Sequence, residues 1–486
     1  MPGASSLAAN RLHVAMEKEP RLKTQGEQHS LVALILAAGR GTRMKSRKVK
    51  VLHELDGRPL IDHVCRTAQL LDPKRIYVVV GYQAPEVEAT VRRLLPDKLA
   101  SFVTQAQQRG TGDAIMAARD ALNNSDSTLL VLSGDVPLIQ AETLSSFVDH
   151  HRSSGAVCSI LSVKLENPTG YGRIVRNELD RFAKIVEQKD ASADEKQIRE
   201  INSGFYCFDP AKLFSALERV QPVNEQGEYY LTDVPGILLS EGHKIELFLH
   251  NDARELSGIN TRAELAEFEN LIRRRTIRTL MLEGVTFIDP SHAYVSAKAQ
   301  IGRDCVIYPD VLIEGGTVLG EGCLIRSGTR IANSRIGSNV VIKDHCVIVD
   351  SDIQANCSVG PFAHLRMKAR LEEDSAVGNF VEVKKSRLGR GSKAMHLTYL
   401  GDAMIGENTN IGAGTVTCNF DGKSKHETVI EDNVRIGSDT MLVAPVKVGS
   451  GSVTGAGSVV TKDVPPDSLV AGVPAVVKKR LKNSDR

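Results

Sequence analysis

Two hydrophobic rhythms divide the chain. Between residues 31 and 260, short apolar runs alternate with stretches whose apolar residues recur at helical spacing. LVALILA at 31–37, IYVVV at 76–80, TLLVL at 128–132 and residues 156–163 read as strands. Residues 60–71, 85–95 and 112–122 read as helices. Such alternation predicts an α/β, Rossmann-like domain: a parallel sheet covered on both faces, with ligands at the carboxyl ends of its strands.

From Val295 the rhythm changes. Val295, Ile301, Ile307, Ile313, Leu319, Ile325 and Ile331 recur at every sixth residue. The count resumes at Ile336 and at Ile353, and returns from Ile430 to Val448. A six-residue period is neither helical nor alternating. It fits a hexapeptide-repeat β-helix, in which three hexads make one triangular coil. Glycine often follows the aliphatic, as at Gly302, Gly320 and Gly337, where a corner needs torsions that glycine accepts cheaply. Cys305, Cys323, Cys346 and Cys357 all stand two residues before a ladder position. They read as small buried hydrophobes in one shared structural position rather than as metal or disulfide partners. The hexads break between about 388 and 429, and solenoids carry their insertions on the binding face.

These rhythms organise the chain as a loose tail (1–30), an α/β domain (31–260), a joining helix (261–284) and a β-helix domain (285–486). Thr261 and Glu264 form a capping-box signature for the joining helix, and Gly284 supplies its stop. Net charge is +2, Trp is absent and aromatics are 4%. This makes no global case for nucleic acid or an anionic membrane. No apolar run reaches the ~18 residues of a membrane helix. Eight cysteines without a CxxC favour a reduced, cytoplasmic setting.

The α/β half carries a candidate phosphate site. LAAGRGTRM at 36–44 directly follows the first strand, and its small residues let backbone N–H groups curl around phosphates. Arg43 adds a fixed fork of donors, and Lys50 a second cation. Residues 43–50 also read as a plain solvated basic run. Asp135 ends the strand at 128–132, where it suits either Mg²⁺ or a turn. In the β-helix half, His396 lies at the rhythm break, with Tyr399 and Asn410 nearby in sequence. A histidine suits the general-base task of an amine attacking a thioester, although a lone histidine is commonly structural.

LAAGRGTRM with Lys50, QAQQRGTGDA, SGDVP, NPTGYGRI, IVEQKD, EINSG, GEYYLTDV and GIN together resemble the sugar-phosphate nucleotidyltransferases. With the hexad repeats, the chain resembles the bifunctional UDP-N-acetylglucosamine pyrophosphorylase/glucosamine-1-phosphate acetyltransferases over nearly everything after residue 30. The resemblance implies a left-handed parallel β-helix, a homotrimer, Mg²⁺, and the co-substrates UTP and acetyl-CoA. It implies acetylation of glucosamine-1-phosphate, then uridylyl transfer to N-acetylglucosamine-1-phosphate, feeding cell-envelope polymers.

By this resemblance Arg43 and Lys50 stabilise the transferring phosphates, and Asp135 and Asn260 hold the metal. Leu36, Ala37, Ala38, Gly39, Gln105, Gly110 and Thr111 contact the nucleotide, while Gly172, Glu187 and Asn202 contact the sugar. His396 is the acetyl-transfer base. Arg366, Lys384, Tyr399, Asn410 and Lys425 hold glucosamine-1-phosphate. Ala413, Asn419, Phe420, Ser438 and Ala456 line the acetyl-CoA groove. Two departures stand out. The family's Leu-Pro before the catalytic lysine is Lys48-Val49 here, which predicts a more mobile loop. The family's CNYDG reads CNFDG, without the tyrosine hydroxyl. A nucleotidyltransferase with a merely regulatory β-helix, a non-catalytic scaffold and a thymidylyl enzyme are the rival readings. Residues 392–425 favour two activities over the first, Arg43, Lys50, Asp135 and His396 together argue against the second, and the acetyl site favours glucosamine chemistry over the third.

Overall fold

The computed structural model describes residues 30–122 and 127–481. The expected tail, Ser30 apart, lies outside them. Compact units meet between Glu267 and Phe268.

The first unit is built on strands β1 (Ser30–Leu36), β2 (Arg75–Val80), β3 (Ala100–Thr104), β4 (Ser127–Ser133), β5 (Cys158–Lys164), β6 (Glu200–Phe208) and β7 (Ile245–His250). Their order across the sheet is β7-β5-β6-β4-β1-β2-β3. Side chains alternate between two cores. Ala33, Ile35, Leu130 and Leu132 pack on one face; Val32, Leu34, Leu129 and Val131 pack on the other. Helices Leu60–Leu70, Ala84–Arg92 and Ala141–Ser154 cover the first face. Thr111–Met116, Pro210–Leu217 and Val234–Ser240 cover the second.

Two expectations need correction. The sheet is mixed, because β6 runs antiparallel to both β4 and β5. The segment between β5 and β6 carries no α-helix of the kind that usually makes a parallel crossover. It folds instead as a hairpin, Arg173–Arg176 with Phe182–Val186, and Arg173 of that hairpin pairs with Ile201 of β6. The helix expected at 112–122 is two short ones, Thr111–Met116 and Arg119–Leu122. They part where Ala118 N–H bonds back only three residues, to Ile115.

Helix Arg262–Leu282 begins on a closed capping box. Glu264 N–H donates to Thr261 Oγ1 at 3.2 Å, and Glu264 Oε2 accepts from Thr261 N–H at 3.1 Å. Gly284 follows at φ +99°.

The second unit is a parallel β-helix of three sheets. Register stacks the ladder residues in columns, such as Ile307, Ile325, Ile342, Val359 and Val377. These are all buried, and each contributes about 1.5–3 kcal/mol. The four cysteines are buried as expected. They share a hexad position but not one column. Cys305, Cys323 and Cys357 precede strands of one sheet, and Cys346 precedes a strand of the next.

The break expected at 388–429 is shorter. Coils continue to Cys418, with Ala394, Leu400, Ile405, Ile411 and Thr417 pointing inward. Alanine and threonine at ladder positions, and a corner one residue tighter before Ile405, hide the period. The true insertion is the loop between strands Val416–Cys418 and Thr428–Ile430.

Candidate active sites

Strands β1 and β4 are neighbours, so their carboxyl ends present two loops side by side. Gly134 N–H donates to Leu36 O at 3.0 Å, and Ala37 N–H to Val79 O at 2.9 Å. Ala37 and Ala38 are buried, and Gly39 is exposed. The chain then turns left-handed at Gly41, φ +65°, into the short turn Thr42–Met44. A second turn, Lys50–Leu52, packs against it so closely that a Cβ at Gly41 would collide with the Cβ of Lys50. Lys50 pairs with Asp135 and donates to Asn260 Oδ1 at 3.0 Å. Arg43 donates to the same oxygen at 2.8 Å. Ile259 N–H ties this last segment to Asp135 O at 2.9 Å. Four separated stretches thus bring two cations and two oxygen donors together.

Further along the same strand ends, buried Gln105 donates to Gly110 O at 3.1 Å and Asp113 Oδ2 at 2.8 Å. Gly110 takes φ +113°, and the Tyr229 backbone leaves no room for a side chain there. Thr111 Oγ1 accepts from Leu231 N–H at 3.0 Å. Asn202 N–H donates to Gly172 O at 2.9 Å, and Glu187 Oε1 accepts from Thr232 at 3.2 Å. Burial pushes the Glu187 carboxyl up, with the Thr232 hydrogen bond opposing it. Sequence reasoning missed Tyr171, whose hydroxyl accepts from Gly258 N–H at 3.3 Å close to Asp135.

In the second unit His396 ends a strand and is exposed. Its Nδ1 lies 2.7 Å from Asn379 Oδ1, in register on the preceding coil. The corner residues on the following coils are Ala413, Ser438 and Ala456. Successive backbone bonds link them: Asp439 N–H to Ala413 O, then Gly457 N–H to Ser438 O. Beyond His396 the column therefore carries only small side chains.

The adjacent sheet carries a cation cluster. Arg366 and Lys384 are register partners, and Tyr399 starts the next strand. Lys384 is only 4% exposed and donates to Asp402 Oδ2 at 3.2 Å. Lys385 reaches the other oxygen, Oδ1, at 3.2 Å. Asn419 donates to Asp402 at 2.6 Å. Burial opposes the Asp402 charge, but hydrogen bonds from Lys384, Lys385 and Asn419 outweigh it and hold the carboxyl below its usual range. The insertion brings Lys425 to Lys384, whose neighbouring ammonium pushes Lys425 down.

Three placements depart from expectation. Asn419 is buried within this cluster rather than lining the small-residue column, because Asp402 needs its donor. Phe420 is exposed on the insertion and bridges Lys425. Asn410 stands on the His396 sheet but pairs with Lys393, three residues along the strand from His396. Asp402, the hub of the cluster, gave no sequence signal beyond an ordinary Gly-Asp turn.

Residues 33–200 match the MobA-like NTP transferase domain, residues 290–386 the GMPPB C-terminal domain, and residues 427–462 the bacterial transferase hexapeptide repeats. The chain is 49% identical over 454 residues to the bifunctional protein GlmU of Heliobacterium modesticaldum, covering 93% of this chain and 97% of that one. It is 47% identical to the GlmU of Syntrophomonas wolfei, covering 90% and 96%. The chain belongs to the GlmU family. Like other GlmU proteins it is a bifunctional enzyme, joining a nucleotidyltransferase to a hexapeptide acetyltransferase in the synthesis of UDP-N-acetylglucosamine. Among the described residues, no helix is long and apolar enough to cross a membrane.

Proposed function

We propose that the two sites divide the work as follows. In the second unit Arg366, Lys384 and Lys425 hold the phosphate of glucosamine-1-phosphate. Two adjacent ammonium groups and a guanidinium favour a dianion between them. Tyr399 borders the sugar. His396 takes the proton from the amine as it attacks the thioester carbonyl of acetyl-CoA; the C–S bond then breaks and CoA leaves. The amide oxygen of Asn379 needs a donor, so the proton of neutral His396 sits on Nδ1 and leaves Nε2 as the base. Ala413, Ser438 and Ala456 leave a slim path for the acyl-donor arm. The observation that supports the two-site reading is the exposed His396, oriented by Asn379, on the sheet next to one whose Arg366, Lys384, Lys385 and Lys425 outnumber the carboxylates of Glu382 and Asp402.

In the first unit Gln105, Gly110 and Thr111 read the base, and Gly172, Glu187 and Asn202 the acetylated sugar. Leu36 to Gly39 lend the loop backbone to the nucleotide. The sugar phosphate oxygen attacks the α-phosphorus of UTP in line, and pyrophosphate leaves. Arg43 and Lys50 stabilise the charge that develops. Carboxylate and amide oxygens are the donors a hard cation prefers, and Asp135 and Asn260 turn theirs to one point. They would hold Mg²⁺, which when bound neutralises phosphate charge.

We also assign the protein to the cytoplasm as a homotrimer. Phe362 and Phe380 stack at 5.3 Å on the coil corners leading to Leu397, and are 48% and 56% exposed. That apolar edge, next to His396, is where a neighbouring coil would seat. As a test, glucosamine-1-phosphate, acetyl-CoA, UTP and Mg²⁺ are supplied together and products are weighed. UDP-N-acetylglucosamine is expected. Omitting acetyl-CoA should stop it, and adding N-acetylglucosamine-1-phosphate should restore it. Failure of that restoration contradicts the order of steps.

A further inference from the structure

Val49, immediately before Lys50, is fully buried and packs in the first core with Val51 and Leu52. Its backbone takes φ −61° and ψ 146° as the residue preceding the turn Lys50–Leu52. A buried N–H needs a partner. Here the partner is a side chain 34 residues away: Gln83 Oε1 accepts from Val49 N–H at 2.7 Å.

Gln83 is itself held. It stands in the left-handed region, φ +54°, at the start of helix Ala84–Arg92. Its carbonyl accepts from Val87 N–H at 3.2 Å, and Val87 and Val91 anchor that helix in the same core. The acceptor oxygen is therefore carried on a fixed element just beyond β2.

The Val49 φ is the one a proline ring imposes. A proline there would set the backbone and leave no N–H to satisfy. Valine does neither. Its φ is free in the unfolded loop, and its amide demands an acceptor. In place of a ring, the structure gives this backbone a hydrogen bond.

We propose that Gln83 is a positioning residue for uridylyl transfer. Its amide oxygen fixes the backbone at Val49 and so aims the Lys50 ammonium at Asp135 and Asn260. This rests on the reading of Lys50 as catalytic. Gln83 is far from those two oxygen donors in sequence and acts only through Val49.

The test compares Gln83→Met, which keeps length but removes the acceptor, with Gln83→Glu, which keeps an acceptor oxygen. Acetyl transfer by the same polypeptide serves as the internal standard. Gln83→Met should lower kcat for UTP-dependent pyrophosphate release by about tenfold, since misplacement of a reacting group is costly. Gln83→Glu should stay within about threefold of wild type. Adding Val49→Pro to Gln83→Met should restore most of the loss, because proline needs no acceptor. Full activity in Gln83→Met, equal losses in Met and Glu variants, or no rescue by proline in a chain whose Val49→Pro single variant is active, each overturns the proposal. Lys50→Ala run alongside separates the failures: if it retains pyrophosphate release, the catalytic reading of Lys50 is what fails.

Discussion

The Lys50 ammonium pairs with the carboxylate of Asp135, 85 residues further along the chain. The contact exists because β1 and β4 are sheet neighbours and the turn holding Lys50 packs on Gly41. One carboxylate thereby orients the lysine and, in the function proposed above, would offer an oxygen to a metal.

Asp135→Asn removes the charge and keeps the shape. UTP-dependent pyrophosphate release should fall by at least about a hundredfold, the scale of losing one preorganised electrostatic group. Half-maximal Mg²⁺ should rise, and acetyl transfer should stay at wild type. Unchanged Mg²⁺ dependence in a folded variant would remove Asp135 from the metal site.

Asp402 holds Lys384, Lys385 and Asn419 together. Breaking a buried pair from one side costs about 3 kcal/mol or more. Asp402→Asn should therefore lower the unfolding midpoint of the β-helix and raise KM for glucosamine-1-phosphate at least tenfold, on the scale of a lost charged partner. KM for acetyl-CoA should barely move, since the small-residue column is on the other sheet. Equal rises in both KM values would contradict the division of the site.

His151 is buried in the first unit, with Nδ1 2.8 Å from Ser159 Oγ. Burial, with Arg152 and His150 adding to it, lowers its pKa from 6.5 to about 4. The folded state keeps the ring neutral while the unfolded chain takes up a proton. Its contribution is whole above about pH 6.5 and is lost as pH falls toward 4. The loss is on the order of 3 kcal/mol. Urea unfolding of the first unit should weaken across that window, and His151→Asn should flatten the slope. A parallel slope in both proteins would show the proton goes elsewhere.

The fold was legible wherever one residue type repeats at one spacing. Ladder residues from Val295 to Val383 are buried because the β-helix admits only small or branched aliphatic side chains inward. The period faded where Ala394 and Thr417 fill the same slots, since neither reads as a hydrophobic beat. In the first unit the strands were visible as apolar runs, but the reversed direction of β6 was not. Direction depends on what connects two strands, and the hairpin before β6 is short, with apolar and polar residues mixed. Arg43, Lys50, Asp135 and His396 stood out through their motifs. Gln83 and Asp402 did not, because each acts by holding another residue, and a hydrogen bond across 34 or 18 residues leaves no local pattern.

Two independent centres in one polypeptide is the central claim, and complementation between Lys50→Ala and His396→Ala tests it most directly. Each folded variant is given glucosamine-1-phosphate, acetyl-CoA, UTP and Mg²⁺, alone and mixed. Lys50→Ala alone should release CoA and accumulate N-acetylglucosamine-1-phosphate; His396→Ala alone should make no product from glucosamine-1-phosphate but should make UDP-N-acetylglucosamine once N-acetylglucosamine-1-phosphate is added. The mixture should make UDP-N-acetylglucosamine, because the intermediate diffuses from one protein to the other. Loss of both activities in either folded variant, or no product from the mixture, would contradict it.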